Sequence, residues 1–306
     1  MTSMSRIFTS PADLIIFGGQ SNMQGQTERL SECEPVEGAL EYCFLDDALV
    51  PLKNPVGENI RYDGTRGWPI MKDDEAADWL RDNVLGSACY GNTNMVPSFC
   101  REYIKETGRS VVAVHAAKGS TSIRNWLPGN AGFDMLIRKS LAAMEKLSRD
   151  NIAVAKIFFV WLQGESDAIN GCSTEEYTES LMELQAALKE KLHISAFGII
   201  RVGYFTNDSR DEAVMKAQED VCLNRPGDFI MLTRLASDAS RPEGRVKGEE
   251  DENNEGHEDH ENGVKVKNNR FEGFMHPFIG GHFSAYGLEQ IGADAGKTLA
   301  KSRECC

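Results

Sequence analysis

Short apolar runs that return along the chain, each followed by a stretch of helical spacing, are the feature that most limits how this sequence can fold. Such alternation is the signature of an α/β domain whose parallel strands are covered by helices on both faces. Five runs read as strands: 13–18 (DLIIFG), 110–116 (SVVAVHA), 154–162, 196–202 and 228–232. Helices are expected at 95–107, where Gly108 stops the pattern, and at 133–149, 174–192, 210–223 and 285–301. The helix at 174–192 has Thr174 at its N-cap and acids in its first turn, which suits the positive end of the helix dipole. The stretch 27–91 is turn-rich, with a short helix expected near 73–81. A single domain over 1–306 with a five-stranded parallel sheet is the expected architecture.

Charge narrows the partners. The chain carries 33 basic against 47 acidic residues, a net charge of -14, which excludes a phosphate backbone or an anionic membrane as the main partner. Half of that charge sits in 247–262, where eight acidic residues face one lysine. The polar segment 237–269 around it has almost no large apolar side chain, so a disordered acidic insertion is expected there. Its His257-Glu258-Asp259-His260 run reads as solvated charge rather than a cation site, and no metal is expected. Eight scattered cysteines show no metal-ligand or disulfide spacing and read as reduced thiols. The first eleven residues lack the features of a signal peptide, and no apolar run approaches the ~20 residues of a membrane helix. A cytoplasmic protein is expected.

In an open parallel sheet the loops leaving the C-terminal strand ends converge, and reactive groups collect there. Three such loops carry unusual polar chemistry: Gly18-Gly19-Gln20-Ser21-Asn22-Met23, Lys118-Gly119-Ser120-Thr121-Ser122-Ile123 and Gln163-Gly164-Glu165-Ser166-Asp167. Ser21 follows two glycines at a strand-to-helix turn, where it reads either as a nucleophile beside free N–H groups or as a simple helix cap. The Gly119 loop reads as an oxygen-binding backbone or an ordinary turn. The third loop reads as a hydrogen-bonded loop or a ligand-facing network. Gly280-Gly281-His282-Phe283-Ser284 places a histidine just before the last helix, and a serine nucleophile needs a neutral histidine nearby as base.

Together the GQSNM, GSTSI, QGESD and HFSAYG segments resemble the SGNH hydrolases, in particular their sialate O-acetylesterase and acetylxylan esterase branch, carbohydrate esterase family six. The resemblance implies a flavodoxin-like three-layer α/β/α sandwich and a serine esterase that removes acetyl or other small acyl groups from a carbohydrate, with no cofactor. It implies Ser21 as nucleophile, His282 as base, and an oxyanion hole from the N–H of Ser21, the N–H of Gly119 and the side-chain amide of Gln163. One position departs from the pattern: the family carries Asp three residues before the histidine, and this chain has Ile279. Glu165 is the favoured substitute, alongside Asp167, Asp238 or a backbone carbonyl, and Glu165 reads equally as a brace for the first loop. Without its acid, a protein of this fold that binds carbohydrate but is catalytically impaired is the competing reading. His276 is the alternative base. Trp68, Trp126 and Tyr204 read as core residues or as a sugar-stacking surface.

Overall fold

The computed structural model describes residues 11–31, 33–58, 92–242, 269–277 and 280–302. The helix expected at 73–81, Trp68, the His257–His260 run, most of the acidic segment and Ile279 lie outside the described residues.

Among the described residues the sheet has seven strands rather than the expected five, in the order β3-β2-β4-β1-β5-β6-β7. The five expected strands are present: β1 (Ala12–Gly19), β4 (Val111–Ala117), β5 (Val154–Leu162), β6 (Ala196–Ile200) and β7 (Phe229–Thr233). The two additions, β2 (Ala39–Cys43) and β3 (Ala48–Pro51), fall in the stretch that reads as turns. They are too short for a periodic signal of their own, and their strand character comes from partners. β2 pairs in parallel with the distant β4, and β3 pairs with β2 as an antiparallel edge.

β1 runs at the centre, parallel to both β4 and β5. Its side chains divide between two cores, as the period of two requires: Leu14 and Ile16 to one face, Ile15 and Phe17 to the other. The first core takes in α3 (Ala131–Arg149), α5 (Thr174–Leu192) and α6 (Ser209–Asn224); the second takes in α2 (Val96–Thr107) and α8 (Ala285–Ser302). This is the three-layer α/β/α sandwich. Three short α-helices, α1 (Ser21–Gln24), α4 (Glu165–Ile169) and α7 (Leu235–Ala239), and two 3-10 turns at Ile123–Trp126 and Asn269–Phe271 complete the helices of the described residues.

Two local expectations change. The N-cap of α5 is Ser173, not Thr174: its hydroxyl accepts from the Glu176 N–H at 3.2 Å while Glu176 reaches back to the Ser173 N–H. The acidic segment begins later than 237, because Leu235–Ala239 is helical and Ser237 is buried, its hydroxyl accepting from Arg201 Nε at 2.6 Å.

Register positions the site. Gly19 pairs with Ala117 on one side and with Leu162 on the other, so the three polar loops leave the sheet at one level.

Candidate active site

The first loop turns sharply because glycine permits it. Gly19 has φ +152°, and a Cβ there would meet the Leu162 carbonyl and lie 2.8 Å from the Met23 Cβ. The chain then enters α1 with Gln20, not Ser21, at the N-cap. Ser21 is therefore the first helical residue, and the capping reading of its hydroxyl is not what the fold uses. With four residues α1 has little dipole, so single N–H groups rather than a helix field are what this turn presents.

The loop before α8 is brought to the same place. A bridge between Met275 and Phe283 sets 274–276 against 282–284, with the His276 N–H donating to the His282 carbonyl at 2.9 Å. Gly281, at φ +73°, packs so closely on Phe205 that a Cβ would overlap its ring. The Phe205 ring meets the His282 imidazole edge-on, with centroids 5.9 Å apart. Glu28 from the first loop accepts from the Ala285 N–H at 3.0 Å and so caps α8.

Asn22, next to Ser21, ties these parts together. Its Nδ2 donates to Glu165 Oε1 at 2.7 Å and to the Gly281 carbonyl at 3.2 Å, and its Oδ1 accepts from the Phe283 N–H at 3.1 Å. The residue next to the nucleophile candidate is thus bonded to the peptide groups on both sides of the base candidate, while His282 Nε2 makes no hydrogen bond to Ser21. Both Ser21 and His282 are buried.

His282 Nδ1 faces the Gly280 carbonyl at 3.3 Å. A carbonyl only accepts, so Nδ1 carries the hydrogen and Nε2 is left as the basic atom of the neutral ring. Nε2 is buried with no hydrogen-bond partner among the described residues. Burial, helped by the nearby His276, holds the imidazole below its usual range, and the Gly280 carbonyl only partly opposes this. His282 is therefore neutral at pH 7. His276 is also pulled down by burial, against the opposing field of Glu28.

Glu165 hydrogen-bonds Asn22 rather than the imidazole, so the place expected for a triad acid is taken by the Gly280 carbonyl. Burial lifts Glu165 from 4.5 to about 7, with the Asn22 bond opposing, and its Oε2 has no hydrogen-bond partner among the described residues. Asp167 is raised by burial too, but it lies on the second loop's side, accepting from the Ile123 N–H at 2.9 Å. Asp238 pairs with Arg201 at 3.3 Å.

Gln163 is engaged on every side. Its Nε2 faces Asp167 Oδ2 at 2.5 Å, the Thr121 carbonyl at 2.8 Å and Gln20 Oε1 at 3.0 Å, while its Oε1 accepts from the Tyr177 hydroxyl at 2.8 Å. In this arrangement it ties the three loops together from behind. The Gly119 N–H donates to Gln24 Oε1 at 3.0 Å, so an amide oxygen of the protein holds the place expected for a substrate oxygen. Trp126 and Tyr204 are both core residues.

Asn22, Gln20, Gln24 and Tyr177 are the residues that the sequence reading left without a role. The first three lie inside or beside GQSNM, and polar amides at the end of an apolar strand are a signal in themselves.

Fold and site together define a three-layer α/β/α sandwich with polar loops gathered at the C-terminal edge of a mostly parallel sheet. The chain belongs to the family described as "Carbohydrate esterase, sialic acid-specific acetylesterase", whose model matches residues 11–233. The match takes in the loops of Ser21, Gly119 and Gln163 and stops short of His282. A "Probable carbohydrate esterase" of Arabidopsis thaliana is 24% identical over 225 residues, covering 71% of this chain and 80% of that protein. Its X-ray structure superposes with a TM-score of 0.57 at 15% identity, covering 96% of this chain and 99% of that one. The crystal structure of NanS gives 0.55 at 14% identity, covering 97% and 100%.

Proposed function

We propose that this protein is a serine esterase that hydrolyses O-acetyl or other small acyl esters of a carbohydrate through an acyl-serine intermediate. Ser21 attacks the ester carbonyl while His282 Nε2 takes its proton, and the imidazolium then protonates the departing sugar hydroxyl. Water then attacks the acyl carbonyl while His282 Nε2 takes its proton, and the imidazolium returns a proton to Ser21 Oγ as the acyl–oxygen bond breaks and the carboxylic acid leaves. The oxyanion is met by the backbone N–H groups of Ser21 and Gly119, with the Gln24 carboxamide giving way to the substrate oxygen.

The observation that carries this reading is the Asn22 bridge, which fixes the residue after Ser21 to the peptide groups flanking His282. The family's carbohydrate-esterase character supports the substrate class.

A fluorophosphonate probe should label Ser21 covalently, and Ser21→Ala should abolish both labelling and p-nitrophenyl acetate hydrolysis. Labelling at another serine would remove the assignment. Acetate release from acetylated xylans, acetylated sialic acids and simple acetylated sugars would then set the substrate.

That His282 Nδ1 meets a carbonyl and no carboxylate among the described residues favours one alternative, a carbohydrate-binding protein with impaired catalysis. Carbohydrate binding without labelling of Ser21 would favour it. Localisation to the cytoplasm belongs to the same proposal, supported by the free thiols of Cys33, Cys43, Cys100, Cys172 and Cys222. Microscopy of the tagged full chain tests it.

A further inference from the structure

A histidine base needs its ring held so that one nitrogen carries the hydrogen and the other faces the nucleophile. In a Ser-His-acid triad a carboxylate on Nδ1 does this directly. Here, among the described residues, Nδ1 meets the carbonyl of Gly280, two residues earlier in the same loop. A carbonyl in a glycine-rich loop orients the ring only as well as the loop itself is held.

We propose that Asn22 is the positioning residue for His282, clamping the peptide groups on both sides of it, and that Glu165 orients the Asn22 carboxamide. This rests on the serine-esterase reading of the site.

The geometry assigns each atom a task. Phe283 N–H and Gly281 C=O flank His282, and Asn22 takes both, accepting from the first at 3.1 Å and donating to the second at 3.2 Å. A carboxamide does this with one group, whereas leucine offers neither function and ionised aspartate only accepts. The amide is in turn set by Glu165, whose Oε1 accepts from Nδ2 at 2.7 Å and thereby requires the nitrogen, not the oxygen, on that side. All three polar side chains are buried, so water competes little for these bonds. Because Asn22 follows Ser21 in α1, any shift of the His282 loop is referred to the nucleophile's own backbone. The orienting force that a triad acid applies to the ring is applied here to the main chain.

The test uses the full-length protein. Asn22→Ala should lower kcat for p-nitrophenyl acetate by about 10²-fold with little change in KM, the loss expected from misplacing a reacting group by about 1 Å. Asn22→Asp keeps the acceptor for Phe283 N–H but loses both donated bonds; it should show a similar loss, and it carries the test if the alanine variant does not fold. Glu165→Gln keeps an acceptor oxygen for Nδ2 and should stay near the native rate, whereas Glu165→Leu should fall toward Asn22→Ala. Nitrogen-15 NMR of the His282 ring gives a readout that needs no activity. The native ring should be in the Nδ1–H form, and Asn22→Ala should mix the two tautomers.

A native kcat together with an unchanged tautomer in Asn22→Ala would overturn the proposal. So would Glu165→Gln being as harmful as Asn22→Ala, since Glu165 would then act on the reaction directly. If the native protein neither hydrolyses esters nor takes the Ser21 probe, the serine-esterase reading fails. The tautomer measurement still decides the role of Asn22.

Discussion

The polar side chains behind the strand ends and those in front of them are both buried, yet they differ in one respect. Behind, Gln163, Thr121, Asp167, Tyr177, Gln20 and Gln218 satisfy one another, with the Gln218 amide also reaching the Gln163 carbonyl at 2.9 Å. In front, His282 Nε2 and Glu165 Oε2 have no hydrogen-bond partner among the described residues. An unpaired buried polar atom costs about 1–3 kcal/mol, so a fold keeps one mainly where another use offsets the loss. The paired set is a scaffold that fixes three loops; of the two unpaired atoms, His282 Nε2 is the base proposed above, while Glu165 Oε2 belongs to the carboxylate that holds Asn22.

The largest expected effect falls in front. His282→Ala should reduce kcat by roughly 10⁴-fold or more, as removal of a base from a nucleophile–base unit does, while His276→Ala should have a far smaller effect. Steady-state kinetics on both variants decides between them, and a larger loss at His276 would exchange their roles.

Next comes the rear network. Gln163→Ala leaves the Tyr177 hydroxyl, the Thr121 carbonyl and the Asp167 carboxylate short of a partner, so folding stability should fall by about 1–3 kcal/mol. Chemical denaturation measures this. A kcat loss of ~10²–10³ at unchanged stability would instead make Gln163 an oxyanion donor and dissolve the contrast between the two regions.

A smaller, pH-dependent effect separates the front carboxylate from the scaffold. Burial raises Glu165 from 4.5 to about 7. A carboxyl whose folded pKa lies above its unfolded one adds stability fully below 4.5 and loses it as pH rises through about 7. The melting temperature should therefore drop between pH 4.5 and pH 8 less in Glu165→Gln than in the native protein. A residual slope should remain, because buried Glu41 is likewise raised to about 7. Equal slopes in the two proteins would mean that Glu165 stays ionised in the fold.

The smallest effect concerns Gln24. Gln24→Ala frees the Gly119 N–H and should lower KM for small acetyl esters by a few-fold at most, with kcat little changed. A rise in KM would show that the Gln24 amide contacts substrate instead of yielding to it.

The strands of the core were legible in the sequence because each is an apolar run long enough to declare itself, and α5 runs from Thr174 to Leu192 as its spacing requires. That the Ser21 and His282 segments come together was expected from their motifs, and the bonds of Asn22 join them. β2 and β3 were not, since five and four residues carry too little periodic signal and take their conformation from β4 and from each other. Nor was the partner of Glu165: a carboxylate in QGESD faces any of several loops until the sheet is assembled.

By itself, then, the sequence determined the α/β class, the central strands, and the loops that carry the reactive side chains, because these depend on local apolar patterning and on which residues follow each strand. Only the tertiary structure decided that Gly280 faces the imidazole, that Gln163 is consumed by the scaffold, and that Asn22 joins Ser21's helix to the His282 loop. Asn22 lies 143 residues from Glu165 and 261 from Phe283 along the chain. Bonds over such separations are fixed by strand order and register, which no local stretch of sequence encodes.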